Sequence, residues 1–160
     1  MKEVKIDTTL SVYESISDLP ENIADLFSEA VLARKRAYAP YSNFLVGAAI
    51  LLDNNEIITG NNQENASYPS GLCAERTAIF YAGSKYPNAK IKVMALTAGA
   101  KDHDNTTPIP PCGACRQSIS EYEVNQNAPI ELYFMGTSGK VVYSKSLANI
   151  LPLVFDRSFL

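Results

Sequence analysis

All three cysteines of the chain fall in two short segments that could bind one metal ion. Cys73 is followed by Ala74 and Glu75, whereas Cys112 and Cys115 form a C-x-x-C pair directly after two prolines. Structural zinc sites usually have four protein ligands, whereas catalytic zinc sites have three and an open position. Three thiols beside a carboxylic acid therefore predict one zinc ion that activates a water molecule.

Other interpretations of the cysteines remain open from the residues alone. A closed structural zinc site would need a fourth ligand, but His103, the only histidine, lies in a polar run that predicts a solvated loop. A C-x-x-C pair also occurs in redox proteins, and free cysteines often pack in a core. Because neither role needs a third cysteine followed at two residues by glutamate, the open zinc site is favoured.

Glu75 and Arg76 are expected to act beside the metal. A glutamate in a first helical turn is ordinarily a surface residue that complements the helix dipole. Next to a metal-binding cysteine, in an apolar pocket that raises its pKa, Glu75 can instead take a proton from water and pass it on. Arg76 can hydrogen-bond a thiolate sulfur and offset part of the charge of three thiolates, although a plain surface arginine is the alternative.

The apolar pattern predicts the elements that bring these segments together. A helix of about five turns is expected between Pro20 and Pro40, since apolar residues recur there at spacings of three and four. Further helices are predicted over residues 73–81, 112–122 and 147–153, and strands over residues 44–52, 56–59, 91–97, 130–135 and 140–143. This order predicts an α/β fold, a three-layer αβα domain with a five-stranded mixed sheet covered by helices on both faces.

The chain is expected to consist of an N-terminal arm, residues 1–19, and a single zinc-dependent domain, residues 20–160. The length fits one domain. Apolar residues alternate along the arm in a way that would suit an edge strand, at Val4, Ile6, Leu10 and Val12. Both metal-binding segments fall at predicted helix starts, where the partial positive charge stabilises a thiolate by roughly 0.3 to 1 kcal/mol.

Charge and composition point to a small-molecule partner. A net charge of −3 and a pI near 5.2 argue against a nucleic-acid partner, which favours clustered Lys and Arg. The longest basic run, residues 34–36, is expected to be a solvated helix end. No apolar stretch suggests a membrane span or a signal peptide. Because thiol ligands also suit a reducing compartment, we expect a cytoplasmic protein without a membrane partner.

The two cysteine motifs together resemble the zinc-dependent nucleoside and nucleobase deaminases. Within that group, three segments are similar to the cytidine deaminases that act on free nucleosides: Tyr41–Ala49, Gly60–Tyr68 and Cys112–Gln117. A cysteine at position 73, where other branches have histidine, is similar to the small homotetrameric branch. The resemblance covers about residues 24–155, and it departs from the family at residues 69–70, where glycine is frequent, and in a longer arm.

The resemblance implies an activity and a cofactor. Cytidine and deoxycytidine would be hydrolysed to uridine and deoxyuridine with release of ammonia, as in pyrimidine salvage. A zinc-activated hydroxide would attack C4 of the ring, and Glu75 would act as the proton shuttle. One zinc ion per chain would be bound by Cys73, Cys112 and Cys115.

The resemblance also implies how substrate is bound. Phe44 would stack on the pyrimidine, Asn62 and Glu64 would hydrogen-bond the ribose 3′-hydroxyl, and the backbone N–H of Ala74, with the neighbourhood of Cys112, would hold the base. Two further residues would close the pocket of a neighbouring subunit in a homotetramer, Tyr68 and Phe155. From the residues alone, an aromatic such as Phe44 in a buried strand is more often a core residue.

A sugar ligand is also supported by residue types alone. Asn62 and Glu64 are two positions apart at a strand end, so that an amide and a carboxylate can converge on one hydroxyl. A phosphate there would be repelled by Glu64. A plain polar loop is the alternative for this segment. For the whole chain, the alternatives are a deaminase of a cytosine-nucleoside antibiotic or of a nucleotide and, in a different class, a non-catalytic zinc-stabilised binding protein.

Overall fold

Six strands and three helices make up the fold in the computed structural model, which describes residues 1–160. The strands are β1 (Ser11–Tyr13), β2 (Phe44–Leu52), β3 (Ile57–Asn61), β4 (Ile91–Ala100), β5 (Glu131–Met135) and β6 (Val141–Ser144). The helices are α1 (Glu21–Arg34), α2 (Ala74–Lys85) and α3 (Gly113–Gln126). None of the helices combines the length and the apolar character that a membrane crossing requires.

The strands form one mixed sheet in the order β1-β6-β5-β4-β2-β3. Only β4 and β5 are parallel, and every other neighbouring pair is antiparallel. The centre of the sheet is the long pairing of β2 with β4, from Phe44 opposite Ala100 to Leu52 opposite Ile91. The hairpin from β2 to β3 turns at Asn55, whose φ of 66° lies in the left-handed region that asparagine tolerates better than most residues.

The three-layer αβα arrangement is confirmed, because helices cover both faces of the sheet. Along β2, Ala49 faces α1, whereas Ala48 and Ile50 face α2 and α3, as the alternation of side chains in a strand requires. The core on the α1 side includes Phe27, which is fully buried against β4 and β5 residues. The larger core, on the other side, contains Ile79 of α2 and Ile119 of α3.

The predicted number of five strands is wrong, because β1 adds a sixth strand at the edge of the sheet. Its three residues pair antiparallel with Val141 to Tyr143 of β6. Before β1 the chain is not a strand, but Thr8 donates a hydrogen bond to the Asn149 carbonyl at 3.0 Å, and the Asn149 amide donates to the Thr9 carbonyl at 2.8 Å. The pairing depends on the open backbone of β6, which the local sequence does not reveal. The division between arm and domain stays a prediction.

Two predicted helices are shorter than expected. α1 ends at Arg34, after about four turns, because the chain then turns toward an isolated bridge between Tyr38 and Gln63. The predicted helix over residues 147–153 is only a single 3-10 turn, Ala148–Ile150. In contrast, α2 and α3 both extend beyond their predicted ends, to Lys85 and Gln126.

Glycine lets α2 lie directly on β3. A Cβ atom at Gly60 would stand 2.5 Å from the Ala74 carbonyl oxygen and 2.6 Å from the Ala78 nitrogen, both atoms of the α2 backbone. Only a residue without a side chain allows this approach. Because Ala74 lies between Cys73 and Glu75, this contact sets the position of the helix start that carries both residues.

Candidate active site

The three cysteines converge at the N-termini of α2 and α3. Cys73 is the N-cap of α2, Cys112 is the N-cap of α3, and Cys115 lies in the first turn of α3. Their sulfur atoms all lie within 4.8 Å of one another, and Cys115 is fully buried. The first N–H groups of both helices have no intrahelical acceptors, so that two positive helix ends face the three sulfurs.

The cluster favours a thiolate at Cys73. A hydrogen bond from the Cys115 thiol is the largest influence and, with Arg76, lowers the pKa of Cys73 to about 5, against the opposing effect of partial burial. The pKa of Cys115 is raised, because its thiol is the donor in that bond and is buried. The Arg76 Nη2 atom lies 3.6 Å from the Cys73 sulfur, whereas its Nε atom is buried without a protein partner. Arg76 therefore contacts the sulfur cluster.

Glu75 is a buried carboxyl group beside the cysteine cluster. It is 5% exposed, and burial is the main cause that raises its pKa, with the negative charge of Cys73 acting in the same direction. A carboxyl group whose pKa is raised above its ordinary value is better suited to accept and then donate a proton in one reaction cycle. The expected environment of Glu75 is thus present.

A cavity of about 630 Å³ opens over Glu75, Arg76 and two of the cysteines, Cys73 and Cys112. Half of its twenty lining residues are hydrophobic. The other predicted residues that line it are Phe44, Asn62, Glu64 and Tyr68. A cavity of this size, with a partly apolar lining and polar groups at defined positions, is typical of a small-molecule site.

Asn62 extends the sheet where β3 leaves β2. Its side-chain oxygen accepts a hydrogen bond from the Val46 N–H at 2.8 Å, and its amide nitrogen donates to the Phe44 carbonyl at 2.9 Å. In these two bonds the Asn62 side chain takes the place of the backbone groups that a longer β3 would offer to β2. The amide keeps one N–H without an intramolecular acceptor, so that Asn62 can still donate to a ligand.

Glu64 is held by the turn that precedes β2. Its Oε2 atom accepts hydrogen bonds from the N–H groups of Tyr41 and Ser42, at 2.9 and 3.2 Å, and its Oε1 atom accepts one from the Ser42 hydroxyl. The Ser42 hydroxyl, followed by the two backbone groups, holds the pKa of Glu64 below its usual value. Glu64 is therefore a fixed carboxylate at the rim of the cavity.

The remaining predicted residues lie in different places. Ala74 is buried between Cys73 and Glu75 but does not line the cavity itself. Phe155 is exposed, does not line the cavity, and stacks on Phe159 at a ring distance of 5.7 Å. His103 is exposed and contacts Asp102, so the prediction of a solvated loop residue is confirmed.

Two residues were missed in the sequence. Ser42 lies two positions before Phe44 and holds Glu64, but a serine in a turn carries no specific signal of that contact. Arg116 follows Cys115 directly, and it donates to the Pro111 carbonyl at 2.8 Å and to the Ile150 carbonyl at 3.1 Å. Arg116 thereby ties the loop that leads to Cys112 to the C-terminal segment.

The cysteine cluster fits a zinc ion. Thiolates are ligands that zinc prefers, and three sulfur donors lie close enough together to bind one ion. Two helix N-termini and Arg76 lie beside the sulfurs and help to stabilise their negative charge. His103 lies outside this group, so that protein side chains supply three candidate ligands.

Comparison with known proteins gives a consistent result. The sequence model of the family described as "Cytidine and deoxycytidylate deaminase zinc-binding region" matches residues 20–128. Cytidine deaminase from Sporosarcina psychrophila is 38% identical over 85% of this chain and 93% of its own length. Cytidine deaminase from Halalkalibacterium halodurans is 49% identical over 60% of this chain and 68% of its own length.

Solved structures are similar as well. The crystal structure of cytidine deaminase from Burkholderia pseudomallei superposes with a TM-score of 0.71 and 35% sequence identity. The match covers 86% of this chain and 100% of the Burkholderia chain. Cytidine deaminase from Mycobacterium tuberculosis is 29% identical, with a TM-score of 0.66, over 86% of this chain and 99% of that chain. By sequence, by fold and by a cysteine cluster suited to zinc, the chain belongs to the cytidine deaminase family.

Proposed function

We propose that the protein hydrolytically deaminates cytidine and deoxycytidine to uridine and deoxyuridine, with release of ammonia. The observation that carries this proposal is a single cavity lined by two cysteines of the three-cysteine cluster, a buried carboxyl group and a fixed carboxylate. The curated relatives named as cytidine deaminases support the same reaction. Pyrimidine salvage in the cytoplasm is the corresponding physiological role.

Cys73, Cys112 and Cys115 would hold one zinc ion per chain. The donor set and its convergence support this assignment, and three protein ligands would leave one position for a reactant. When bound, zinc supplies Lewis acidity that makes water a usable nucleophile near neutral pH. Arg76 would limit the negative charge of the sulfur cluster, since its guanidinium already contacts Cys73.

Glu75 would carry the proton of the reaction. Because its pKa is raised by burial, it can take one proton from water and deliver it to N3 of the pyrimidine. It would then take the proton of the hydroxyl group added at C4 and deliver it to the departing amino group, so that C4 becomes a carbonyl and ammonia leaves. Each transfer needs a carboxyl group that exchanges protons near the working pH. The neighbouring backbone N–H of Ala74 is at the first position of α2, where helices leave donors free, and would hold the base carbonyl.

Phe44, Asn62 and Glu64 would bind the nucleoside. Phe44 lines the cavity and offers a ring for stacking on the base. The remaining N–H of Asn62 and the carboxylate of Glu64 suit the two sides of one hydroxyl, which accepts from the amide and donates to the carboxylate. A phosphate ester at that position would meet the negative charge of Glu64, which favours nucleosides over nucleotides.

We also propose a homotetramer in which subunits share pockets. Tyr68 lines the cavity but is 77% exposed, and Phe155 and Phe159 present a stacked apolar pair to solvent. Exposed aromatic side chains of this kind are frequent at protein interfaces. Residues 20–160 would form the deaminase domain, with residues 1–19 as an appended arm, which agrees with a family match that begins at residue 20.

The function is tested by comparing wild type with Glu75→Gln, and with Asp25→Asn as a matched control on the exposed face of α1. Zinc content and the ultraviolet change on adding cytidine are measured for each protein. We expect Glu75→Gln to keep its zinc and to lose about 10²- to 10⁴-fold in kcat, the usual contribution of a general acid-base group. Wild-type kinetics in Glu75→Gln would contradict the assignment.

A substrate panel separates the proposed reaction from the alternatives. We expect conversion of cytidine and deoxycytidine and much slower conversion of cytosine and of the two nucleoside monophosphates. Because the matching family also includes deoxycytidylate deaminases, preferred conversion of deoxycytidine monophosphate would favour a nucleotide enzyme instead. Stoichiometric zinc without conversion of any of these compounds would favour a zinc-stabilised binding protein.

A further inference from the structure

The Ser42 hydroxyl lies at the junction of the two parts of the proposed substrate pocket. Its oxygen donates to Glu64 Oε1 and accepts a hydrogen bond from the Phe44 N–H at 3.0 Å. One side-chain atom thus contacts both the carboxylate proposed for the sugar and the backbone of the residue proposed to stack on the base. Both partners line the same cavity, as Ser42 itself does.

The backbone around Ser42 is shaped for this double contact. Asn43, between Ser42 and Phe44, has a φ of 53°, a left-handed conformation that brings the Phe44 N–H back toward the serine side chain. The Phe44 carbonyl accepts from Asn62. Side chains therefore hold both the N–H and the carbonyl of Phe44, which fixes the first residue of β2 relative to the sugar-binding residues.

The hydrogen-bond capacity of Glu64 shows why the hydroxyl matters. Each carboxylate oxygen has about two acceptor positions. Oε2 uses both for the N–H groups of Tyr41 and Ser42, whereas Oε1 uses one for the Ser42 hydroxyl and keeps one. The remaining position on Oε1 is the one available to a ligand hydroxyl. Without the serine hydroxyl, two bonds to a single oxygen would hold the carboxylate, and Oε1 could rotate toward solvent.

We propose that Ser42 is a positioning residue that orients Glu64 toward the sugar hydroxyl and couples it to Phe44, so that discrimination for a 3′-hydroxyl depends on Ser42. This inference rests on the proposed function. It assigns Ser42 no contact with the reacting atoms. Phe44 is held in addition by Asn62 and by its pairing with Ala100, so loss of the serine hydroxyl should mainly disturb Glu64. It should therefore affect substrates with the 3′-hydroxyl much more than substrates without it.

The test compares deoxycytidine with 2′,3′-dideoxycytidine, which lacks the 3′-hydroxyl, in wild type, Ser42→Ala and Ser42→Thr. We expect Ser42→Ala to lower kcat/KM for deoxycytidine about tenfold, mainly through KM, a factor that equals about 1.4 kcal/mol and lies within the range of single hydrogen bonds. For dideoxycytidine we expect a change of less than about twofold. Ser42→Thr keeps the hydroxyl and should restore the preference.

Ser28→Ala is the matched control, because it removes a hydroxyl that bonds only to the Ala24 carbonyl on an exposed face of α1. Equal losses of kcat/KM on both substrates in Ser42→Ala would identify a merely structural serine and overturn the inference. So would an unchanged preference for deoxycytidine. If wild type converts cytidine but Ser42→Ala gives either of these results, only the inference about Ser42 is overturned and the proposed function stands. If wild type converts neither cytidine nor deoxycytidine, both the proposed function and this inference are contradicted.

Discussion

Replacement of Gly60 by alanine tests whether the contact between β3 and α2 positions Cys73 and Glu75. An added Cβ would stand 2.5 Å from the Ala74 carbonyl oxygen, 2.6 Å from the Ala78 nitrogen and 3.0 Å from the Ala78 Cβ atom. An ordinary contact needs at least 3.4 Å, so that the start of α2 must move away from β3 by about 0.9 Å. That movement carries Cys73 and Glu75 with it.

The displacement predicts two separate effects. Overpacking of a tight contact costs about 1 to 3 kcal/mol, which lowers the Tm of a chain of this length by roughly 2 to 12 °C. A shift of about 1 Å in a catalytic group costs about 10²-fold in rate. We therefore expect Gly60→Ala to bind zinc more weakly and to lose about two orders of magnitude in kcat at a temperature where it remains folded.

Calorimetry, zinc content after dialysis and steady-state kinetics on cytidine measure these effects. Gly113→Ala is the control, since Gly113 also lies at a helix start beside a cysteine of the cluster, but an added Cβ there has no atom within 4 Å. If Gly60→Ala matched Gly113→Ala in Tm, zinc content and kcat, the close packing of α2 on β3 would not be what positions Cys73 and Glu75.

Two further predictions concern stability. Glu123 accepts hydrogen bonds from the N–H groups of Ile130, Leu147 and Ala148 at 2.7 to 2.8 Å, and Ile130 and Leu147 are buried. Because each buried unpaired donor costs about 1 to 3 kcal/mol, Glu123→Ala should lower the Tm by several degrees, whereas Glu121→Ala, at an exposed position, should change it little. In metal-free protein, burial raises the folded-state pKa of Glu75 above its unfolded value. The free energy of unfolding is therefore at its full value below the unfolded pKa and falls as the pH rises through the folded pKa. Glu75→Gln should melt at a higher temperature than wild type at pH 8, with a smaller difference at pH 4, when both are measured with a chelator present; an equal difference at both pH values would contradict this.

The local motifs of the site could be predicted from the sequence, because each is fixed by short spacing. Cys73 and Glu75 are two residues apart at a helix start, and Cys112 and Cys115 are one helical turn apart. Such residues share a local frame whatever the rest of the fold does. The helices and the central strands were likewise predicted, with errors at their ends, because apolar periodicity extends over many residues.

Contacts over long separations in the sequence could not be predicted. The hydrogen bonds from Tyr41 and Ser42 to Glu64 join residues more than twenty positions apart in the sequence. Two of the three donors are backbone N–H groups, which nearly every residue carries, and the third is the hydroxyl of a serine in a turn. Glu123 is a second example, since Ile130 directly precedes β5 and Leu147 lies 24 residues away from Glu123. β1 is a third, because three residues carry too little periodicity, and the pairing is selected by the free edge of β6.

Chain direction in the sheet explains why residues from five segments meet in one cavity. β3 and β4 both run antiparallel to β2, so they point the same way, and their carboxyl ends lie at the edge where β2 begins. α2 follows β3 and α3 follows β4, and each helix must therefore start near that edge before it runs back over the sheet. Phe44 begins β2, and Asn62 directly follows β3, at the same edge. The topology thus brings together two positive helix ends, an aromatic ring and a polar turn, and the site requires only that suitable side chains occupy those termini.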